Sequence, residues 1–200
     1  MSLEIGIILG TARSNSLGEN ILNYLKTTFK DSAEVHYTWM PLKDYPLPFY
    51  DHEETPLEGH ISNLNENEQA WLNTIAKQDG YIILSPEYDH GISGALKNAL
   101  DFIGPEVDHK PVQIVTYSYY TDGGMLAARA IVPILQMLEM IVLPKPVLLW
   151  EASKNFTDQG ELNLEVANSD HFQKRLNEAF EDLTFYTRIL KNNPYFRKNN

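Results

Sequence analysis

The chain has 200 residues, 43% of them hydrophobic and 22% charged, enough to bury one core and short enough to form one domain. A formal net charge of −11 argues against non-specific nucleic-acid binding and against an anionic membrane surface, both of which need an excess of Lys and Arg. The absence of cysteine excludes disulfides, thiolate metal sites and thiol catalysis, and no apolar run reaches the roughly 18 residues that span a bilayer. The start Met1-Ser2-Leu3-Glu4 lacks the basic and apolar regions of a secretory signal, so the expectation is a cytoplasmic protein.

In chain order, Leu3–Leu9 is a compact apolar run that reads as a central strand. It ends in the loop Gly10–Gly18, followed by a helical pattern with Ile21, Leu22, Leu25 and Phe29 facing inward. No acidic residue occurs from Gly6 to Gly18, although the chain is acidic overall. Thr11 and Ser16 hydroxyls, the Arg13 guanidinium and a helix start are the parts of a phosphate site. The alternative is a capping loop with a solvated arginine. Neither Gly-x-x-x-x-Gly-Lys nor Gly-x-Gly-x-x-Gly is present there.

Ala33–Trp39 alternates as an edge strand would. The segment from Met40 to about Asn65 has four prolines and reads as a long functional or mobile loop. His52, Glu53 and Glu54 within it lack further clustered ligands, and no metal site is expected. A helix over Asn65–Lys77 buries Trp71, Leu72 and Ile75. Gly80–Leu84 is a buried strand, followed by the loop from Ser85 through Gly91 and a helix containing Ala95–Leu100. His109–Tyr117 is the next strand, running into a third loop, Ser118–Gly124. Met125–Glu139 has a helical pattern in which Pro133 predicts a kink or break. Residues 141–143 and 146–150 form the last strand region, and Glu151–Asn168 reads as loop. Ser169 to about Lys191 is a terminal helix with a stripe of Phe172, Leu176, Phe180, Leu183, Tyr186 and Leu190. The division is one domain over 1–191 and a frayed tail over 192–200.

Alternating strands and helices imply a five-stranded parallel sheet covered on both faces, a three-layer α/β sandwich, with every strand-end loop on one edge. The common doubly wound order 2-1-3-4-5 places a ligand at the switch between strands one and three. The Thr11/Arg13/Ser16 loop there suits a monophosphate, and Pro86–Gly91 offers backbone and a tyrosine to a flat ring.

These residues resemble the NADPH-dependent FMN reductases of flavodoxin-like fold, a family that includes quinone, azo and chromate reductases. Gly10-Thr11-Ala12-Arg13 with Ser16-Leu17-Gly18 is similar to its phosphate loop, and Pro46–Asp51 to its Pro-Leu-Pro-x-Tyr-Asp segment. Ser85–Asp101 is similar to its Pro-Glu-Tyr-Asn…Gly-x-Leu-Lys-Asn-Ala-Leu-Asp signature, and Ser118-Tyr119, Gly123-Gly124 and Arg129 to a later segment. The resemblance covers about residues 3–150. Asp89 stands where Asn is usual, Ser93 where Pro is usual, and Tyr120 where Gly is frequent.

The resemblance implies FMN as cofactor, NADPH or NADH as electron donor, and hydride transfer to the flavin. Electrons then pass to a small-molecule acceptor: flavin, quinone, azo compound or metal oxyanion. Thr11, Arg13, Ser16, Leu17 and Gly18 are the expected phosphate residues. Pro86, Glu87, Tyr88, Asp89, His90 and Gly91 would line the ring, and Ser118, Tyr119, Gly123 and Gly124 its pyrimidine end. The flavin carries the chemistry, so no catalytic side chain is expected. Glu87 can equally be a solvated or helix-capping acid, and Lys97 and Asn98 surface residues. A homodimer or homotetramer is implied. The rival readings are a flavodoxin-type electron carrier and a flavin-binding regulatory protein.

Overall fold

Aliphatic and β-branched residues fill the centre of the sheet because both of its faces are covered. The computed structural model describes residues 2–59 and 61–195. Its elements run β1 (Leu3–Leu9), α1 (Leu17–Thr28), β2 (Val35–Pro41), α2 (Glu66–Ala76), β3 (Gly80–Pro86) and α3 (Gly94–Asp101). They continue with β4 (Pro111–Tyr117), α4 (Met125–Met137), β5 (Ile141–Val142), β6 (Val147–Leu149), α5 (Ala152–Asn155) and α6 (Ser169–Asn192). All strands pair in parallel, in the order β2-β1-β3-β4-β5, and β6 also pairs with β4. This is the expected 2-1-3-4-5 flavodoxin-like arrangement.

The period of two along each strand divides the core into two clusters. Ile5, Ile7, Leu9, Ile82, Leu84 and Val115 face α1 and α6. Ile8, Tyr81, Ile83, Val112 and Ile114 face α2, α3 and α4. Inside the second cluster Trp71 donates its indole N–H to the Ala99 carbonyl at 3.0 Å, so its one polar atom is satisfied.

Several sequence expectations change in detail. The fifth strand is two short pieces, β5 against the start of β4 and β6 against its end. Pro144 and Pro146 supply no N–H for pairing, and Lys145 between them takes a left-handed φ of 58°. The carbonyl of Lys145 accepts from Gln113 Nε2 and Arg175 Nη2, which tie down the interruption. Helix α4 runs unbroken through Pro133. The carbonyl that proline leaves without its helical partner belongs to Arg129, an exposed residue. The stripe of α6 turns away from the expected one at its end: Thr187 is buried and Tyr186 exposed. The segment after β6 contains α5 rather than loop alone. Of the expected tail, residue 192 is the last of α6 and residues 196–200 lie outside those described.

The long segment after β2 is pinned by side chains. Asn98 of α3 accepts from Tyr50 N at 3.0 Å and donates to the Pro48 carbonyl at 2.8 Å, so it is an anchor and not a free surface residue. Glu68, buried at the start of α2, lies 3.3 Å from His52 Nε2 and accepts from Asn65 N at 2.7 Å. The result presents Phe49 to solvent at 85% exposure. At the sheet's β2 edge, Asp31 Oδ1 accepts the Tyr37 N–H at 2.9 Å.

Helix α6 completes the first cluster through Phe172, which is fully buried against Trp150 and Phe156. Phe172→Ala is expected to cost about 3–5 kcal/mol, measured as a lower urea midpoint with an unchanged slope.

Candidate functional site

Three loops at the carboxyl edge of the sheet, after β1, β3 and β4, enclose a cleft of about 270 Å³. Its lining includes Arg13, Ser16, Leu17, Gly18, Pro86, Glu87, Tyr88, Asp89, His90, Ser118 and Tyr119, which the sequence singled out. It also includes Tyr117 and Asp122, which the sequence reading missed, and Tyr120, noted there only as a departure.

The loop after β1 forms the cationic end. Ser16 caps α1: its Oγ accepts from Glu19 N, and Glu19 returns a carboxylate oxygen to Ser16 N. The first-turn N–H groups of Leu17 and Gly18 have no intrahelical acceptor, and these residues line the cleft beside the exposed Arg13. Hydrogen bonding to the Tyr88 phenol raises the Arg13 pKa further, so its charge is fixed. A Cβ on Gly18 would meet the Tyr117 hydroxyl at 2.2 Å, so only glycine lets that phenol reach the helix. Burial pushes the Tyr117 phenol up, and it stays neutral. Lys43 hydrogen-bonds Glu19 and holds its carboxyl below the usual range.

The loop after β3 is a hairpin in which Tyr88 and Gly91 exchange N–H···O bonds of 2.9 Å. The two residues between them, Asp89 (φ 48°) and His90 (φ 64°), both lie in the left-handed region. This matches a type I′ turn, which favours Asn and Gly, so the loop stores backbone strain at the cleft. Thr11 does not line the cleft; it is buried, and its hydroxyl shares a 3.1 Å hydrogen bond with the Tyr88 phenol. Ser93, in place of a proline, donates to the Gly10 carbonyl at 2.6 Å and caps α3 through Leu96 N.

Glu87 turns inward and caps a helix, one of the two roles its sequence allowed. Its Oε2 accepts from Leu126 N at 2.9 Å and Ala127 N at 3.1 Å in the first turn of α4. The N-cap there is Gly124, which has no side chain to offer, so a carboxylate from another loop does the capping. Gly124 has φ 80°, and a Cβ on it would lie 2.9 Å from Thr116 Cβ. Gly123 and Gly124 therefore shape the third loop from behind the cleft wall, as Gly91 closes the hairpin.

Asp122 organises the third loop. Its Oδ1 lies 2.5 Å from Ser118 Oγ and 3.3 Å from Gly124 N. Ser118 Oγ is also 3.0 Å from the Tyr120 carbonyl, so its single proton is committed to one of two protein acceptors. The Ser118 hydroxyl, then the Gly124 N–H and Glu87, hold Asp122 below the usual carboxylate range. Tyr119 and Tyr120 stand exposed at the rim, Tyr120 at 79%, with its carbonyl fixed by the Glu151 N–H at 2.8 Å. Among the described residues no group of three His, Asp or Glu could hold a metal ion, and no helix is long and apolar enough to cross a membrane.

The family model for NADPH-dependent FMN reductase matches residues 3–155. An NAD(P)H-dependent FMN reductase of Schizosaccharomyces pombe is 30% identical over 192 residues, covering 96% of this chain and 92% of the relative. A quinone reductase of Escherichia coli is 29% identical over 180 residues, covering 87% and 92%. Among solved structures, a flavoenzyme NAD(P)H:(acceptor) oxidoreductase from Paracoccus denitrificans shares the fold with a TM-score of 0.74 at 17% identity, covering 93% of this chain and 97% of that one.

His90→Gly, which removes a left-handed side-chain penalty, is expected to raise stability by about 0.5–1 kcal/mol in urea denaturation. Glu19→Gln is expected to destabilise at neutral pH. Because the folded pKa of Glu19 is depressed, that difference fades as pH falls through the carboxylate range, and stability measured against pH checks it.

Proposed function

The chain belongs to the NADPH-dependent FMN reductase family, and from that premise we propose that it is an NAD(P)H-dependent oxidoreductase holding FMN in the strand-end cleft. The observation that carries this reading is the meeting of Arg13, the open start of α1 and the walled hairpin of Tyr88–Gly91 in one cleft. A phosphate and a flat ring need those two surfaces together.

In this reading Arg13, the Ser16 hydroxyl and the N–H groups of Leu17 and Gly18 hold the phosphate, against an overall charge of −11. Thr11 acts one step back, steadying Tyr88. Pro86, Tyr88 and the backbone of Asp89 and His90 lie along the ring. Ser118 has acceptor capacity left, which suits an N–H donor at the ring's pyrimidine end. Bound FMN supplies the hydride and electron chemistry. Tyr119 and Tyr120 form the open wall on which a flat donor or acceptor stacks. The acceptor is a small molecule: flavin, quinone, azo compound or metal oxyanion. A homodimer or homotetramer belongs to the same proposal, supported by exposed apolar side chains at the rim and at the start of α4, among them Tyr119, Tyr120 and Met125.

Arg13→Ala is expected to weaken FMN binding at least tenfold, the loss of a charge-assisted contact worth about 1.5–3 kcal/mol, followed by flavin fluorescence titration. Anaerobic NADPH or NADH is expected to bleach the bound flavin of the wild type. FMN that binds tightly yet is reduced by neither nucleotide would refute the oxidoreductase reading.

A further inference from the structure

Two donors of the third loop are committed within the protein. The Ser118 proton is shared between Asp122 and the Tyr120 carbonyl, and the Gly124 N–H is directed to Asp122. What the cleft presents at this end is carboxylate. Glu87 and Asp122 both line it, within hydrogen-bonding reach of each other. The cation, Arg13, belongs to the first loop and to the phosphate end. Both residues line the same cleft of about 270 Å³ in which a ring would lie.

We infer that the Glu87–Asp122 pair tunes the bound cofactor, disfavouring the negative charge that reduction adds to it and so making it a stronger donor to uncharged acceptors such as quinones than to anionic ones. The inference rests on the FMN reading above.

NAD(P)H gives up a hydride, two electrons and one proton, to oxidised FMN, leaving NAD(P)⁺ and a flavin with one more negative charge. Delivery of that hydride to a quinone, with one proton from solvent, gives the hydroquinone and restores oxidised FMN. A fixed negative charge beside the ring opposes the first step's product and favours its discharge in the second. The same charge repels an incoming anion. The hydrogen bonds from Ser118 and Gly124 keep Asp122 ionised at neutral pH, so at least one negative charge of the pair is present there. Glu87 and Asp122 act through charge and position and exchange no atoms with substrate.

The test is an anaerobic redox titration of FMN-loaded wild type, the double variant Glu87→Gln/Asp122→Asn and Asp122→Glu. Two carboxyls in hydrogen-bonding reach can share one proton, so only the double variant leaves the pair without charge, while Asn and Gln keep an oxygen to accept the same N–H and O–H groups. The double variant is expected to shift the ratio of affinities for reduced over oxidised FMN at least tenfold toward the reduced form. That is a rise of about 30 mV for the two-electron couple. Asp122→Glu, which keeps the charge, is expected to stay with the wild type. The ratio of kcat/KM for a neutral quinone over an anionic acceptor, ferricyanide, is expected to fall in the double variant. Potentials that stay put or fall in the double variant overturn the inference. Should it not fold, Glu87→Gln/Asp122→Ser decides in its place. A wild type that never binds FMN defeats the cofactor reading instead, and the two failures are therefore distinct.

Discussion

Ser93 Oγ donates to the Gly10 carbonyl at 2.6 Å, across 83 positions of sequence, while accepting from Leu96 N. Thr11 and Tyr88 share a second bond between the same loops, and Glu87 reaches the amides of α4 from the other side. A parallel sheet brings its strand-end loops to one edge but gives them no backbone ladder to each other. Side chains must supply the connection, and here each loop is fixed by its neighbour. The cleft has its shape because these bonds join three separate strand ends into one wall. Removing any of them leaves a buried or half-buried polar group without its partner, which costs more than the bond itself contributes.

The charges of the cleft follow the same division. The acidic chain keeps its first loop free of carboxylates, and Glu19 at the start of α1 is paired with Lys43. At the far end the carboxylates of Glu87 and Asp122 are not solvated surface acids but structural members, each holding backbone N–H groups. Arg13 and these carboxylates thus stand on different loops of one cleft.

The centre of the sheet was legible because β1, β3 and β4 are almost wholly apolar and each ends in a glycine- or hydroxyl-bearing turn. Alternation and handedness give a parallel sheet with its loops on one edge, and the strand order rests on the common doubly wound pattern. Of the cleft, most lining residues within each loop were legible, since the hydroxyl, glycine and aromatic composition of such loops is local. What was hidden were relations between loops. Nothing near Glu87 in sequence shows that its partners are the amides of Leu126 and Ala127. Asp122 reads as a turn residue until Ser118 is seen to point at it. Asn98 looks like a helix-surface residue until the 46–50 segment is laid across it. The end of α6 went astray because Thr187, a polar residue, takes the inward position where Gly80 leaves room: a Cβ there would lie 2.4 Å from its hydroxyl. Periodicity of apolar residues cannot report a place where a glycine on another element makes the space.

The sheet's two borders are finished in different ways. On the β2 side, a carboxylate from Asp31 occupies an N–H that a foreign strand would need. On the other side, the prolines around Lys145 cut the border strand into two short pieces, each paired with β4. Neither border offers a continuous ladder to another molecule, so the fold carries its own protection against strand-to-strand aggregation. Self-association, where it occurs, is left to helices and rim aromatics. Crowded or concentrated conditions should then favour discrete assemblies over fibrous ones.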